Sequence, residues 1–306
     1  MNYKKIVKNQ QLRFKIMRLL QWVPDSIMLR VQYRMKMGFW PNLYHPTRYT
    51  EKLQLYKMKY RNPVMHQCVD KYEVRKYVES KGLGHILNEL YGVYDSPEEI
   101  DFDALPDKFV MKTTTGGGGQ NVIVVTDKQS CDREDLKRKL ALWEGSNNLG
   151  ALAGREWAYE GCKPRIIIEK YLEDQSGGGN LSDYKLMFFN GKFRSLWIDK
   201  DRYTDHHRGF WDENLKFLAH VYSDHDTFKT PPALPECMPE MIKVGEKLSD
   251  GFPYTRIDLY DVDGKVVFGE ITFYPWSGYV KFHPTEYDVQ LGTYFTEYGE
   301  SNNQKC

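Results

Sequence analysis

Phe109-Val110-Met111-Lys112-Thr113-Thr114-Thr115-Gly116-Gly117-Gly118-Gly119-Gln120-Asn121-Val122 joins two apolar runs through three threonines and four glycines. Phe109–Lys112 on one side and Asn121–Val125 on the other have the length and branched content of strands. Glycines let backbone N–H groups approach an anion as closely as side chains would forbid. The stretch is no P-loop, because no Lys-Ser/Thr follows the glycines. Nor is it a dinucleotide fingerprint, because a strand rather than a helix comes next. A lysine near the end of a buried strand, just before such a loop, suggests a flap laid over phosphates by Lys112, Gly116, Gly117, Gly118 and Gly119. A merely flexible hairpin tip would need fewer glycines and would leave that lysine without a role.

Downstream, Tyr254–Tyr260 and Lys265–Phe273 flank Asp263-Gly264, a hairpin signal. A three-residue loop, Val262-Asp263-Gly264, would pair Asp261 with Lys265, set Asp258 opposite Phe268 and set Glu270 opposite Arg256. Arg256, Asp258, Glu270 and Thr272 then share one face, while Ile257, Leu259, Val267, Ile271 and Phe273 share the other. A two-residue loop would split the acids, since one residue of slip flips a strand. Two carboxylates and a hydroxyl on one face suit an oxygen-seeking Mg²⁺ that shares its ligands with phosphates. A solvated face holding an Arg–Glu cross-strand pair is the alternative that these residues leave open. Between the two hairpins, Ile168-Glu169-Lys170-Tyr171-Leu172-Glu173-Asp174 reads as a strand running into an acidic turn. It offers backbone groups to a flat base and an acid to a ribose, or is simply a sheet edge.

The rest alternates helices with strands. Apolar residues at helical spacing cover 11–38, interrupted at Pro24 and stopped at Gly38. A helix is expected over 70–81 with Asp70 as N-cap, a short one from Ser96-Pro97-Glu98-Glu99, and an amphipathic one over 132–144. Arg165–Glu169 reads as a buried strand, and Tyr184–Asn190 with Lys192–Ile198 forms a hairpin around Asn190-Gly191. Hairpins without regular βαβ alternation give an α+β class.

Of 306 residues, 41% are hydrophobic and 28% charged, enough apolar mass to bury a core and so to exclude disorder. No run approaches the roughly 18–20 apolar residues of a membrane span. The N-terminus interleaves bases with apolar residues rather than offering a signal-peptide core, so a cytoplasmic chain is expected. Five cysteines without a CxxC indicate neither a disulfide framework nor a thiolate zinc site, and adjacent His206 and His207 diverge too far to share a metal. The net charge of +1 conceals +11 over residues 1–60 and −10 over the remainder. A basic helical segment, residues 1–62, is therefore expected ahead of a catalytic region, 63–306. Its partner is either the acidic body or an anionic surface such as an acidic glycan or the inner membrane face. No nucleic-acid partner is expected.

The order of these elements resembles the ATP-grasp superfamily, and within it the TupA-like branch associated with bacterial surface (capsule-type) polysaccharide synthesis. Asp70-Lys71-Tyr72-Glu73-Val74-Arg75, Leu105–Lys112, Asp183-Tyr184-Lys185 and Gly269-Glu270-Ile271-Thr272-Phe273-Tyr274-Pro275 carry the likeness over about residues 40–295. The resemblance implies two α/β lobes holding ATP between antiparallel sheets. It implies that Lys71 and Lys112 contact nucleotide phosphates, and that Glu169, Lys170 and Leu172 line the adenine pocket, the last two partly through backbone groups. Asp183 would stand at the ribose or triphosphate edge with Lys185 nearby, Arg256 would meet the transferred phosphoryl group, and Asp258 and Glu270 would hold Mg²⁺. Thr272 stands where many relatives have asparagine, which puts a third metal ligand in doubt, and Trp276 stands where glycine is more usual. The implied reaction is ATP-dependent joining of a carboxylate to an amine through an acyl phosphate. The acceptor would be a uronic-acid-bearing polysaccharide or its lipid-linked or nucleotide-linked precursor, and the amine an amino acid. Two other readings are a metal-dependent glycosyltransferase using Asp261-Val262-Asp263, and a nucleotide-binding glycan- or membrane-associated protein without catalysis.

Overall fold

The computed structural model describes residues 19–116, 121–146, 149–173, 181–200, 205–296 and 298. The expected Gly117, Gly118 and Gly119 contacts, and the expected helix before residue 19, lie outside them. Helix α1 (Asp25–Met37) begins after Pro24 and ends where Gly38 turns left-handed at φ 96°, its N–H bonding Arg34 O. Helices α2 (Tyr49–Lys59), α3 (Val64–Val69) and α4 (Glu73–Ser80) follow. Asp70 caps α4 from three residues upstream, its Oδ1 accepting the N–H groups of Tyr72 and Glu73 at 2.9 Å. The expected helix at Ser96 is a single 3-10 turn, Pro97–Glu99, because Glu99 bonds back to the Asp95 N–H rather than continuing a coil of helix.

Strands β1 (Leu90–Tyr94), β2 (Phe109–Thr113), β3 (Val122–Val125) and β4 (Ile166–Lys170) form an antiparallel sheet in the order β1-β4-β2-β3. One face buries Phe109, Met111, Ile166 and Ile168 against α5 (Arg133–Ser146) through Leu136 and Leu140. The short helix α6 (Leu149–Ala153) follows α5 and precedes β4 of the same sheet; the second lobe comes after β4. There, β5 (Asp183–Phe189), β6 (Lys192–Lys200), β7 (His207–Asp212), β8 (Tyr254–Val262) and β9 (Lys265–Thr272) lie in the order β7-β6-β5-β8-β9, again antiparallel. Helix α7 (Met238–Ser249) covers this sheet, and Gly245 lets Phe188 in so closely that a Cβ there would sit 2.1 Å from the ring. Asn190-Gly191 makes the β5–β6 turn with both residues left-handed, at φ 50° and 71°.

Helix α2 belongs to the larger core: Tyr49, Leu53, Tyr56 and Tyr60 pack with Phe189, Tyr254 and Phe295. Helix α8 (Glu286–Tyr294) closes over α2. Buried Asp288 accepts the Thr50 N–H at 3.0 Å and the Thr50 hydroxyl at 2.7 Å. Among the described residues no helix is long and apolar enough to cross a membrane, and Cys68, Cys131, Cys162 and Cys237 form no disulfide.

The β8–β9 register corrects the expected one. The loop has two residues, Asp263-Gly264 (φ 52° and 79°), so Val262 pairs with Lys265 and Leu259 with Phe268. Asp258 therefore does not face Phe268, nor Glu270 Arg256. An extra residue in β9, Gly269, bulges between the Leu259–Phe268 and Asp258–Glu270 pairs and restores the parity of everything beyond it. Asp258 faces Glu270 and Arg256 faces Thr272, so the four polar side chains share one face after all. A Cβ on Gly269 would stand 2.8 Å from Asp258 O.

Candidate active site

The polar faces of the two sheets border one cleft of about 440 Å³. From the smaller sheet, strand alternation sends Lys112 and Glu169 into it while Ile166 and Ile168 go to the core. Lys112 Nζ bonds Glu169 Oε2 at 2.8 Å, and Arg75 lies 3.7 Å from the other oxygen. Lys71, two residues before α4, is tied by its N–H to Thr114 O and by its Nζ to Gly116 O at 2.7 Å, which anchors the first residue of the glycine loop. Burial lowers the Lys71 pKa, with Glu270 and Glu169 pulling the other way across the cleft.

From the larger sheet, Arg256 forks onto Asp258, with Nε–Oδ1 at 2.5 Å and Nη2–Oδ2 at 2.7 Å. The same Nη2 reaches Glu270 Oε1 at 2.7 Å and Thr272 Oγ1 at 3.0 Å. Lys185 Nζ bonds both Asp183 and Asp258 at 2.5 Å. Burial pushes the Glu270 pKa up, but the charges of Arg256, Lys71 and Lys185 outweigh it and hold Glu270 at about 2. Burial lifts Asp258 above the ordinary carboxylate range against the pull of Arg256 and Lys185.

Ten residues named from the sequence thus line one cleft: Lys71, Lys112, Gly116, Glu169, Asp183, Lys185, Arg256, Asp258, Glu270 and Thr272. Lys170 and Leu172 do not line it. Lys170 has the opposite strand parity to Glu169, and its N–H and C=O are already bonded to Glu89 O and Asn88 Nδ2. Asp261 and Asp263 stand at the hairpin tip, away from the cleft lining, where Asp261 Oδ1 accepts the Gly264 N–H at 2.9 Å. Asp258 and Glu270 present only oxygen donors on facing positions, the set that Mg²⁺ prefers. Among the described residues no third acid, histidine or cysteine joins them as a metal cluster, so a bound ion would complete its shell with water and phosphate oxygens.

Apart from Trp276, the far end of the cleft carries residues that no sequence motif marks. Trp197 of β6 stacks on Trp276 at 4.5 Å, Arg256 lies over Trp197 at 5.2 Å, and Arg208 lies over Trp276 at 5.0 Å. Arg208 also grips Asp199 at 2.6 Å, and His206 joins the same oxygen at 2.9 Å. Burial raises the Asp199 pKa, but Arg208 outweighs it and holds the carboxyl well below its usual range. Trp276 and Ser277 are both left-handed, at φ 50° and 55°, which explains why glycine suits the Trp276 position. The turn is braced from behind: fully buried Lys57 donates to Gly154 O and Ser277 O at 2.9 Å, and burial drives it down to about 7. Gly154 makes room for the Ser277 hydroxyl and the Glu156 carboxyl, which a Cβ would meet at 2.7 and 2.8 Å.

A strand–glycine loop–strand with its lysines, facing an Arg-x-Asp and Glu-x-Thr pair across a cleft, coincides with a match to the TupA-like ATP-grasp family model over residues 51–296. The chain belongs to that family. It has the ATP-grasp fold. No curated protein sequence matches it. Among solved structures it is similar to the D-alanine–D-alanine ligase of Bacillus anthracis (20% identity, TM-score 0.41, 68% of this chain and 57% of that one). It is also similar to the D-alanine–D-alanine ligase of Helicobacter pylori (17%, 0.40, 75% and 61%). A third is the phosphoribosylamine–glycine ligase of Thermotoga maritima (15%, 0.42, 68% and 48%). The TupA-like chain spans between about half and three-fifths of the length of these proteins.

Proposed function

We propose that this TupA-like ATP-grasp chain is an ADP-forming carboxylate–amine ligase that uses ATP and Mg²⁺. Its acceptor would be a uronic-acid-bearing surface polysaccharide or its lipid-linked or nucleotide-linked precursor, and its amine an amino acid. The observation that carries the reading is the Arg256–Asp258–Glu270–Thr272 cluster facing Lys71, Lys112 and Gly116 across one cleft. Phosphoryl transfer asks little covalent chemistry of a protein and much charge neutralisation, which this set supplies.

Lys71 and Lys112 would hold the nucleotide phosphates, and Glu169 would orient Lys112 through their ion pair. Mg²⁺ held by Asp258 and Glu270 would neutralise phosphate charge. An acceptor carboxylate oxygen attacks the γ-phosphorus, ADP leaves, and Arg256 stabilises the charge on the transferring group. The amine nitrogen then attacks the acyl carbon, phosphate departs, and the amide nitrogen loses its extra proton. The Trp197–Trp276 stack, with Arg208 at its far side, fits an acceptor site for a sugar ring and its carboxylate.

The test incubates purified protein with ATP, Mg²⁺ and hydroxylamine, supplying free hexuronates and uronate oligosaccharides in turn. Hydroxamate and ADP should appear together, and a panel of amino acids should replace hydroxylamine. ADP release that needs neither a carboxylate nor an amine would overturn the reading, as would turnover of nucleotide-sugars in place of ATP.

A further inference from the structure

Helix α1 docks on the body by Met28, Leu29, Gln32, Tyr33 and Met37, all buried. A helix that only covers a core needs one apolar stripe, with polar residues opposite. This one has two. Ile27, Val31 and Met35, at helical spacing on the outward face, are 54%, 41% and 43% exposed. Arg30 and Arg34 form the ridge beside them. Trp22 and Tyr44, both 80% exposed, and Trp40 extend the patch, with Arg30 lying 5.1 Å over the Tyr44 ring. Of the thirteen large apolar side chains exposed among the described residues, eight fall between residues 19 and 44 and the other five are scattered. Single exposed apolar residues are ordinary, but a contiguous patch of this kind marks an interaction surface.

The charge around the patch selects its occupant. Asp25 is the one acid between residues 19 and 44, and Arg155 neutralises it at 3.2 Å. In sequence, residues 1–18 hold six bases and no acid. A second copy of the chain fits poorly, because a two-fold contact would set Arg30 and Arg34 of one copy against those of the other. A soluble acidic glycan would engage the arginines but would leave Ile27, Val31 and Met35 in water. An anionic bilayer satisfies both halves: phosphates meet the arginines, and the headgroup–acyl boundary takes the aliphatic and indole side chains.

We propose that the outward face of α1, with Trp22, Trp40 and Tyr44, seats the protein on an anionic membrane surface without crossing it. This surface does not depend on the reaction proposed above.

The experiment floats the full chain with vesicles of phosphatidylcholine alone, or of phosphatidylcholine mixed with phosphatidylglycerol, at low and high salt. The tryptophan emission is followed in parallel. Binding should require phosphatidylglycerol, weaken with salt and shift the emission to the blue. The double variant Arg30→Ser/Arg34→Ser should lose roughly thirtyfold in partitioning, and the triple variant Ile27→Ser/Val31→Ser/Met35→Ser at least about tenfold. Ile27, Val31, Arg34 and Met35 are exposed and Arg30 is half-buried against Tyr44, so a nearly unchanged melting temperature should accompany each loss. Equal binding to neutral vesicles, no binding to either, or binding untouched by both variants would overturn the proposal. So would a dimer in solution that the triple variant dissociates, or capture of polyuronate through the arginines without capture of vesicles.

Discussion

Arg256 directs Nε and Nη2 at the residues that the proposed chemistry needs: both bond Asp258, and Nη2 also serves Glu270 and Thr272. Burial disfavours its charge, yet Asp258 and Glu270 outweigh that and raise its pKa further still. Such a buried cluster is costly to break from one side, because the partner left behind stays charged. Glu270 is the member that can be changed gently. It is held at about 2 and so is ionised at any working pH. Glu270→Gln keeps an oxygen for Arg256 Nη2 but removes the negative charge offered to Mg²⁺. Its carboxylate-dependent ATP turnover should fall about 100-fold or more with the melting temperature nearly kept. Turnover equal to the parent's would take Glu270 out of the mechanism. The sequence made this cluster legible because strand parity alone sends Arg256 and Asp258 to one side. At Lys170 the same parity sends the side chain away from Glu169. The sequence was silent on Arg208, Asp199 and Glu156, which arrive from separate elements and share no spacing that a motif could carry.

At the scale of the element, the β8–β9 hairpin joins a two-residue turn to a bulge, and only the pair of them brings Asp258 opposite Glu270. The two-residue turn read alone gives the right partners as far as Leu259–Phe268 and the wrong ones beyond the bulge. Grouping the acids on one face is the surer guide, because it reflects the burial of Ile257, Leu259 and Ile271 on the other. Gly269→Ala should show the bulge at work. The new Cβ would meet backbone Asp258 O at 2.8 Å, an atom that cannot swing aside. We expect a loss of about 1–3 kcal/mol in urea unfolding, with ATP turnover falling further than stability, since the acids lose register. A variant as stable and as active as the parent would show that the bulge is incidental. The α2–α8 lock predicts a pH effect. Burial raises Asp288 to about 6 from an ordinary value near 3.8, so between those limits the folded chain binds the extra proton. Stability from this group is therefore full below about pH 4 and is lost as pH rises through 6. The melting temperature should drop by several degrees from pH 4.5 to 7, and Asp288→Asn should flatten the slope. A parent curve that rises over that window would mean that Asp288 is ionised in the fold at no cost.

For the molecule as a whole, each sheet has a core of its own, and the cleft between them is lined by charge from both. The α+β class, the antiparallel hairpins and the order of the elements were legible because strand length, turn chemistry and glycine placement are local properties. The position of α2 inside the larger core was not, because its tyrosines meet Phe189, Tyr254 and Phe295 from far along the chain. The same separation into two cores makes a nucleotide in the cleft a clamp, since it would touch Lys71 and Lys112 on one side and the Arg256 cluster on the other. A ligand that binds only the folded chain stabilises it by about 2.7 kcal/mol at 100 times its Kd. For a chain of 306 residues that is roughly 4 °C in melting temperature. ATP with Mg²⁺ should therefore raise the melting temperature by about that much. Lys112→Ala should cut the rise by half or more at fixed ATP, because a point charge aimed at the phosphates is lost while Glu169 retains Arg75. Arg30→Ser, on the outward face of α1, should leave the rise intact. If Lys112→Ala shows the full rise, Lys112 serves only to hold Glu169 in place, and the phosphates are gripped by Lys71 and the glycine loop without it.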